Sequence, residues 1–209
     1  GVIHRDIKPS NVLVSQREGA ASLKVIDFGI IKASGDLVTP DGSLTREGVV
    51  LGTVGYMSPE QIGAIEAPVD TRTDIYSLGV ILYELLSGSV PFDLARLRRA
   101  PWVEAVRMMR EEDPPPPAVK AAQSESAEIA ARRDTDSRSL VRDLKGELGW
   151  ITLRALEKEP DRRYASASEL AADVRRYLAN EPVLAAAPST MYRLRKYARR
   201  HRAGVVAAA

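Results

Sequence analysis

The chain has 209 residues, 44% of them hydrophobic, which is enough for one domain with a buried core, and it contains no cysteine. The missing thiols exclude a disulfide framework and any thiolate metal site, so cofactor chemistry must use oxygen ligands. The formal net charge of +2 conceals an asymmetry: five arginines and Lys196 fall between Met191 and Arg202 with no acid among them, leaving the rest of the chain net acidic.

The chain opens on Gly1-Val2-Ile3 and then His4-Arg5-Asp6-Ile7-Lys8-Pro9-Ser10-Asn11, a run dense in polar and charged groups. Val12-Leu13-Val14 and Leu23-Lys24-Val25-Ile26 are β-branched-rich runs separated by a polar segment, so they predict a β-hairpin. Asp27-Phe28-Gly29 follows the second strand, which places the two polar motifs at neighbouring strand ends. From Ile30 to Val50 the chain is rich in Gly, Asp, Ser and Thr and predicts a long surface loop of the kind that is functional or disordered.

Asp74 to Leu86 is apolar on nearly every side and predicts a helix buried all round, with Gly88 placed to end it. Trp102 to Arg110 has helical spacing behind Pro101, and the proline run from Pro114 to Pro117 stops it. The charged, Ala/Ser-rich stretch from Ala118 to Lys145 reads as an insertion with a short helix near Ala127 to Arg132. Glu147 to Leu156 predicts a helix. Ser166-Ala167-Ser168-Glu169 is a capping-box pattern ahead of an inward stripe of Leu170, Val174, Tyr177 and Leu178.

Phosphoryl transfer needs a group to orient the attacking hydroxyl, cations to neutralise phosphate charge, and ligands to hold those cations. Asp6, Lys8, Asn11 and Asp27 form such a set, and six specified residues fall within the eight from His4 to Asn11. The run resembles the catalytic loop of eukaryotic-type protein kinases, and Asp27-Phe28-Gly29 resembles their metal-binding motif at the kinase spacing. The resemblance implies that Asp6 accepts the hydroxyl proton, that Lys8 contacts the transferring phosphate, and that Asn11 and Asp27 bind Mg²⁺ alongside ATP. Hard oxygen ligands suit that cation. His4 and Phe28 read as packed residues.

Further along, Gly52 to Glu60 is similar to the family's substrate-docking segment, with Ser58-Pro59-Glu60 standing where Ala-Pro-Glu is usual. In the family, Glu60 would pair with a distant arginine, and Arg163 matches. Thr53 matches the hydroxyl that bridges the catalytic Asp and Lys; with Lys8 it points to the serine/threonine branch. Asp74 stands in the family's buried central helix, where the aspartate anchors the backbone of the catalytic loop. Arg5 precedes Asp6 as in kinases controlled by an activation-loop phosphate, for which Thr45 is the first candidate, then Ser43 and Thr39.

The resemblance covers residues 1 to about 180 and implies a mainly α fold: the larger, C-terminal lobe of a bacterial eukaryotic-like kinase, with a small β-hairpin at the catalytic loop. The organisation it implies is a lobe over 1–181 (activation segment 27–60, charged insertion 113–146), a basic juxtamembrane segment over 182–202 and the start of a transmembrane helix over 203–209. No Gly-rich strand-turn-strand or strand lysine precedes His4, so the expectation is a truncated chain, inactive alone. The expected partners are protein substrates, a membrane reached through the C-terminal segment, and a second kinase copy, with the domain on the cytoplasmic side. The basic run could also be a solvated helix face or a nucleic-acid patch; the apolar residues from Ala203 favour the membrane, and no nucleic acid is expected. The rival from another class is a pseudokinase-like docking module that transfers no phosphate; Asp6, Asn11 and Asp27, whose loss would mark one, are all present.

Overall fold

The structure, a computed structural model, describes residues 2–17, 20–28, 54–123, 126–186, 189, 191, 192 and 196. Two antiparallel strands, β1 (Val12–Arg17) and β2 (Ala20–Val25), pair in the register Val12↔Val25 to Arg17↔Ala20. A single 3-10 turn, Pro9–Asn11, leads into β1, with the proline at the first helical position where its missing N–H costs nothing. After Asp27-Phe28 the described chain resumes at Val54, and every regular element described from there on is helical.

The helices are α1 (Thr71–Ser87), α2 (Leu94–Arg99), α3 (Trp102–Glu111), α4 (Pro117–Gln123), α5 (Ser126–Ala131), α6 (Ser137–Leu144), α7 (Glu147–Ala155) and α8 (Ala167–Leu178). Side-chain oxygens start several of them by taking otherwise unpaired backbone N–H groups. Asp70 caps α1, Asp93 caps α2, Asp136 caps α6 and Ser166 caps α8. Gly88 ends α1 in the left-handed region, at φ 81°, where a side chain would be strained and would also meet Ile129.

Helix α1 is the central post. Ile75 packs with Ile151, Ala155, Tyr164 and Leu170 from the α7–α8 side, while Tyr76, Val80 and Tyr83 pack with Val90 and Leu156. A third cluster holds Val54, Met57 and Ile62 against Phe92, Met108 and Met109. Gly79 lets α7 approach closely: a Cβ there would lie 2.8 Å from the Ala155 Cβ.

Three expectations need correction. Leu85, expected inside, is 63% exposed, because in the last turn of α1 it is the neighbouring Leu86 that packs against buried residues. Leu178, assigned to the inward stripe of α8, is 71% exposed, since it lies one residue past Tyr177 and so about 100° round the helix. The stretch around 113–146, read as an insertion with a short helix near Ala127 to Arg132, carries three helices among its described residues. It forms α4, α5 and α6, whose Ala118, Ala121, Ala130, Leu140 and Leu144 make a fourth buried cluster with Leu86 against it. Alanine-rich helices bury small faces, and so give weak hydrophobic periodicity.

Candidate active site

The first described residues run against α1. Asp74 lies in the first turn of that helix and turns its carboxylate outward: Oδ2 accepts from the His4 backbone N–H and Oδ1 from that of Arg5, both at 2.8 Å. A carboxylate near a helix N-terminus is favourably placed with respect to the helix dipole. One side chain thus holds two successive peptides ahead of Asp6.

His4 is buried, and backbone groups occupy both ring nitrogens. Nε2–H donates to the Ile26 carbonyl at 3.0 Å, while Nδ1 accepts from the Asp6 N–H at 3.3 Å. Those partners fix its tautomer, so it links the loop to the strand end. Its ring lies 4.7 Å from that of Phe28. Phe28, expected in the core, is 53% exposed, because His4 covers one face and none of the described residues covers the other.

Asp6, Lys8 and Asn11 come together. Lys8 Nζ stands 2.9 Å from Asp6 Oδ2, and Asn11 Nδ2 donates to the Asp6 carbonyl at 2.8 Å and to Asp6 Oδ2 at 3.2 Å. Because both of these acceptors are oxygens, the Asn11 amide can point only one way, and its Oδ1, which accepts from the Ser10 hydroxyl at 3.5 Å, is the atom that could ligate a cation. The hairpin register brings Asn11 beside Ile26, whose N–H donates to the Asn11 carbonyl at 2.9 Å. Asp27 follows immediately, at φ 79°. Two oxygen-bearing side chains therefore sit at neighbouring strand ends, a donor set that fits a hard cation such as Mg²⁺.

A second assembly lies beneath the loop. Glu60 and Arg163 form a fully buried pair with both carboxylate oxygens engaged at 2.7 Å. The guanidinium also donates to the carbonyls of Glu157, Lys158 and Arg72, so all five of its N–H groups are used. Burial alone would raise the Glu60 carboxyl, but hydrogen bonds from Arg163 and Thr73 outweigh it and hold the group below its usual range. Ser77 and Glu84 on α1 hold the neighbouring Tyr56 by its carbonyl and its hydroxyl, at 2.7 and 2.6 Å.

Gly29, Thr39, Ser43, Thr45 and Thr53 lie outside the described residues. Arg5 stands at φ 66° beside Asp6. Sequence reasoning missed Gln61, whose amide spans from the Ser58 N–H to the Arg5 carbonyl. The pattern Ser58-Pro59-Glu60-Gln61 has capping-box spacing and could have pointed to it. Asp173, completely buried on α8, was missed too, because a single acid in a helix carries no sequence signal of burial.

Comparison with known proteins places the chain in a family. The model of the protein kinase domain matches residues 1–171. The chain belongs to the protein kinase family. It is 39% identical over 174 residues to the serine/threonine-protein kinase PknB of Mycolicibacterium smegmatis, covering 83% of this chain and 23% of that protein. It is 37% identical over 187 residues to "Probable serine/threonine-protein kinase SCO3848" of Streptomyces coelicolor, covering 90% of this chain and 23% of that protein. The chain spans about a quarter of the length of these bacterial serine/threonine relatives.

Proposed function

We propose that these residues form the larger, helical lobe of a bacterial serine/threonine protein kinase that transfers the γ-phosphate of ATP to protein hydroxyls. The observation that carries this reading is the convergence of Asp6, Lys8, Asn11 and Asp27 at the open end of one hairpin. Asp6 is the group placed to take the proton of the attacking serine or threonine. Lys8, paired with Asp6 at 2.9 Å, offers its ammonium to the phosphate. Asn11, oriented by its bonds to Asp6, and Asp27 would hold Mg²⁺ through oxygen. That cation would neutralise charge on the phosphate oxygens. Thr53 is assigned the bridging hydroxyl between Asp6 and Lys8 on resemblance.

Val2, Leu13, Val14, Leu23, Val25, Ile26 and Phe28 leave apolar surface around this end. We assign it to the seat of a nucleotide-gripping lobe. The basic run after Met191 and the apolar residues from Ala203 support anchorage on the cytoplasmic face of a membrane. Among the described residues no helix is long and apolar enough to cross one. Salt-sensitive sedimentation of the intact protein with anionic but not neutral vesicles is the expected result; no sedimentation would remove the anchor.

The deciding experiment is phosphotransfer to a protein acceptor by the intact protein. Removing the base in Asp6→Asn should lower kcat by roughly 10²- to 10⁴-fold, the range for a positioned general base. Asp27→Ala should abolish Mg²⁺-dependent turnover. Activity unchanged in both variants would reject the kinase reading, and an intact protein with no activity would favour a docking module.

A further inference from the structure

The Asp6 backbone is set by Arg5, a non-glycine residue at φ 66°. Such a conformation is strained and persists only where the surroundings over-determine it. Asp74 holds Arg5 on one side, through its N–H at 2.8 Å. The carbonyl on its other side accepts from Gln61 Nε2, also at 2.8 Å, across 56 positions of sequence. That carbonyl belongs to the peptide joining Arg5 to Asp6, so whatever fixes its plane also fixes the origin of the Asp6 side chain.

Gln61 is well chosen for this task. Its Oε1 accepts from the Ser58 N–H at 3.1 Å and lies 3.4 Å from the Ser58 hydroxyl, closing the Ser58–Gln61 turn. A backbone N–H can only donate and a carbonyl can only accept, so the two partners fix the amide orientation and demand one acceptor and one donor from a single side chain. The turn itself is rooted by Glu60 on Arg163 and Thr73. We infer that Gln61 is a positioning residue for phosphotransfer: it locks the Arg5–Asp6 peptide to the substrate-docking turn, so that Asp6 and the docking turn keep one relative placement. The inference rests on the kinase reading above and names a residue that reading does not use.

The two halves of the amide can be separated. Gln61→Glu keeps an acceptor for Ser58, since glutamate serves a capping box as well as glutamine, but it turns a carboxylate oxygen toward the Arg5 carbonyl. Gln61→Met removes both bonds at similar length. In the intact protein both variants should lose kcat about tenfold to a hundredfold, the scale of an ångström-size misplacement, with the KM for ATP within about twofold. Gln61→Glu should keep a cooperative melt near the wild-type temperature.

If the side chain merely caps its turn, Gln61→Glu will turn over at the wild-type rate, and the inference is wrong. A Gln61→Glu protein with no cooperative melt would make the residue a fold determinant and overturn it equally. Asp6→Asn, run alongside, separates the two levels: an inactive Asp6→Asn with a fully active Gln61→Glu defeats this inference alone. An active Asp6→Asn defeats the kinase reading and this inference with it.

Discussion

Arg163 shows how one residue can join segments that are distant in the chain. Its five donors reach Glu60 and the carbonyls of Arg72, Glu157 and Lys158, and its plane also lies 5.0 Å from the centre of the Tyr76 ring. Lysine could not replace it, having three donors and no planar fork. Truncating one partner strands a buried charge, so Arg163→Met should cost about 3–5 kcal/mol in urea unfolding. The acid dependence has a definite sign. Burial raises the Glu60 carboxyl, and the bonds and charge of Arg163 together with the bond from Thr73 outweigh it, so its folded value lies below its unfolded one. Its contribution is therefore complete above about pH 4.3, the ordinary glutamate value, and is lost as pH falls through the lower folded value. The stability gap between wild type and Glu60→Gln should stay constant from neutral pH to about that point and then close. A gap that widens on acidification would contradict the assignment.

Among the elements, α8 and the chain after it carry the largest departure from expectation. The packed unit continues past residue 181. Asn180 at φ 55° reverses the chain, and Val183 enters the core beside Ile75, Ile151 and Tyr164. Asp173 makes this possible: its buried carboxylate accepts from the Tyr164 hydroxyl and from the N–H groups of Leu184 and Ala185, at 2.9, 2.6 and 3.0 Å. The packing extends further, with the Tyr192 hydroxyl accepting from the Val183 N–H and Lys196 paired with Glu147 at 2.6 Å. The start of the basic segment is thus held on α7 and α8. Asp173→Ala would leave buried donors without acceptors and should cost about 2–4 kcal/mol. Limited proteolysis should then cut first between 183 and 192. A protease pattern identical to wild type would show that the carboxylate does not hold the tail. The capping box of α8 also differs in detail from expectation, because the Glu169 carboxylate takes the N–H of Ala165 rather than that of the cap residue Ser166.

For the molecule as a whole, the hydrophobic surface is unevenly closed. Around α1 the core is dense, whereas Leu13, Val14, Leu23, Val25 and Phe28 at the hairpin end are each about half exposed or more. Val14, Leu23 and Val25 share one face of the hairpin by its register, and exposed apolar faces of this kind mark contact surfaces. The 209-residue polypeptide should therefore self-associate at micromolar concentration in light scattering, and charged substitutions at Val14 and Leu23 should reduce this. A monodisperse wild-type monomer would count against the contact surface.

Local chemistry was legible wherever residue type and short spacing sufficed. His4 to Asn11, Asp27, the hairpin, Gly88 as a helix stop and the Ser166 cap all depend on neighbours a few residues away, so the chain carries them openly. The Glu60–Arg163 pair was reached only through resemblance, because nothing in composition relates residues 103 positions apart. Tertiary packing alone decided that Asp173 is buried, that Gln61 reaches Arg5, that Phe28 is half uncovered and that α4 to α6 form a cluster. The physical reason is common to all four: burial and long-range hydrogen bonds depend on what lies across the gap in space, and a side chain's own sequence neighbours do not encode that.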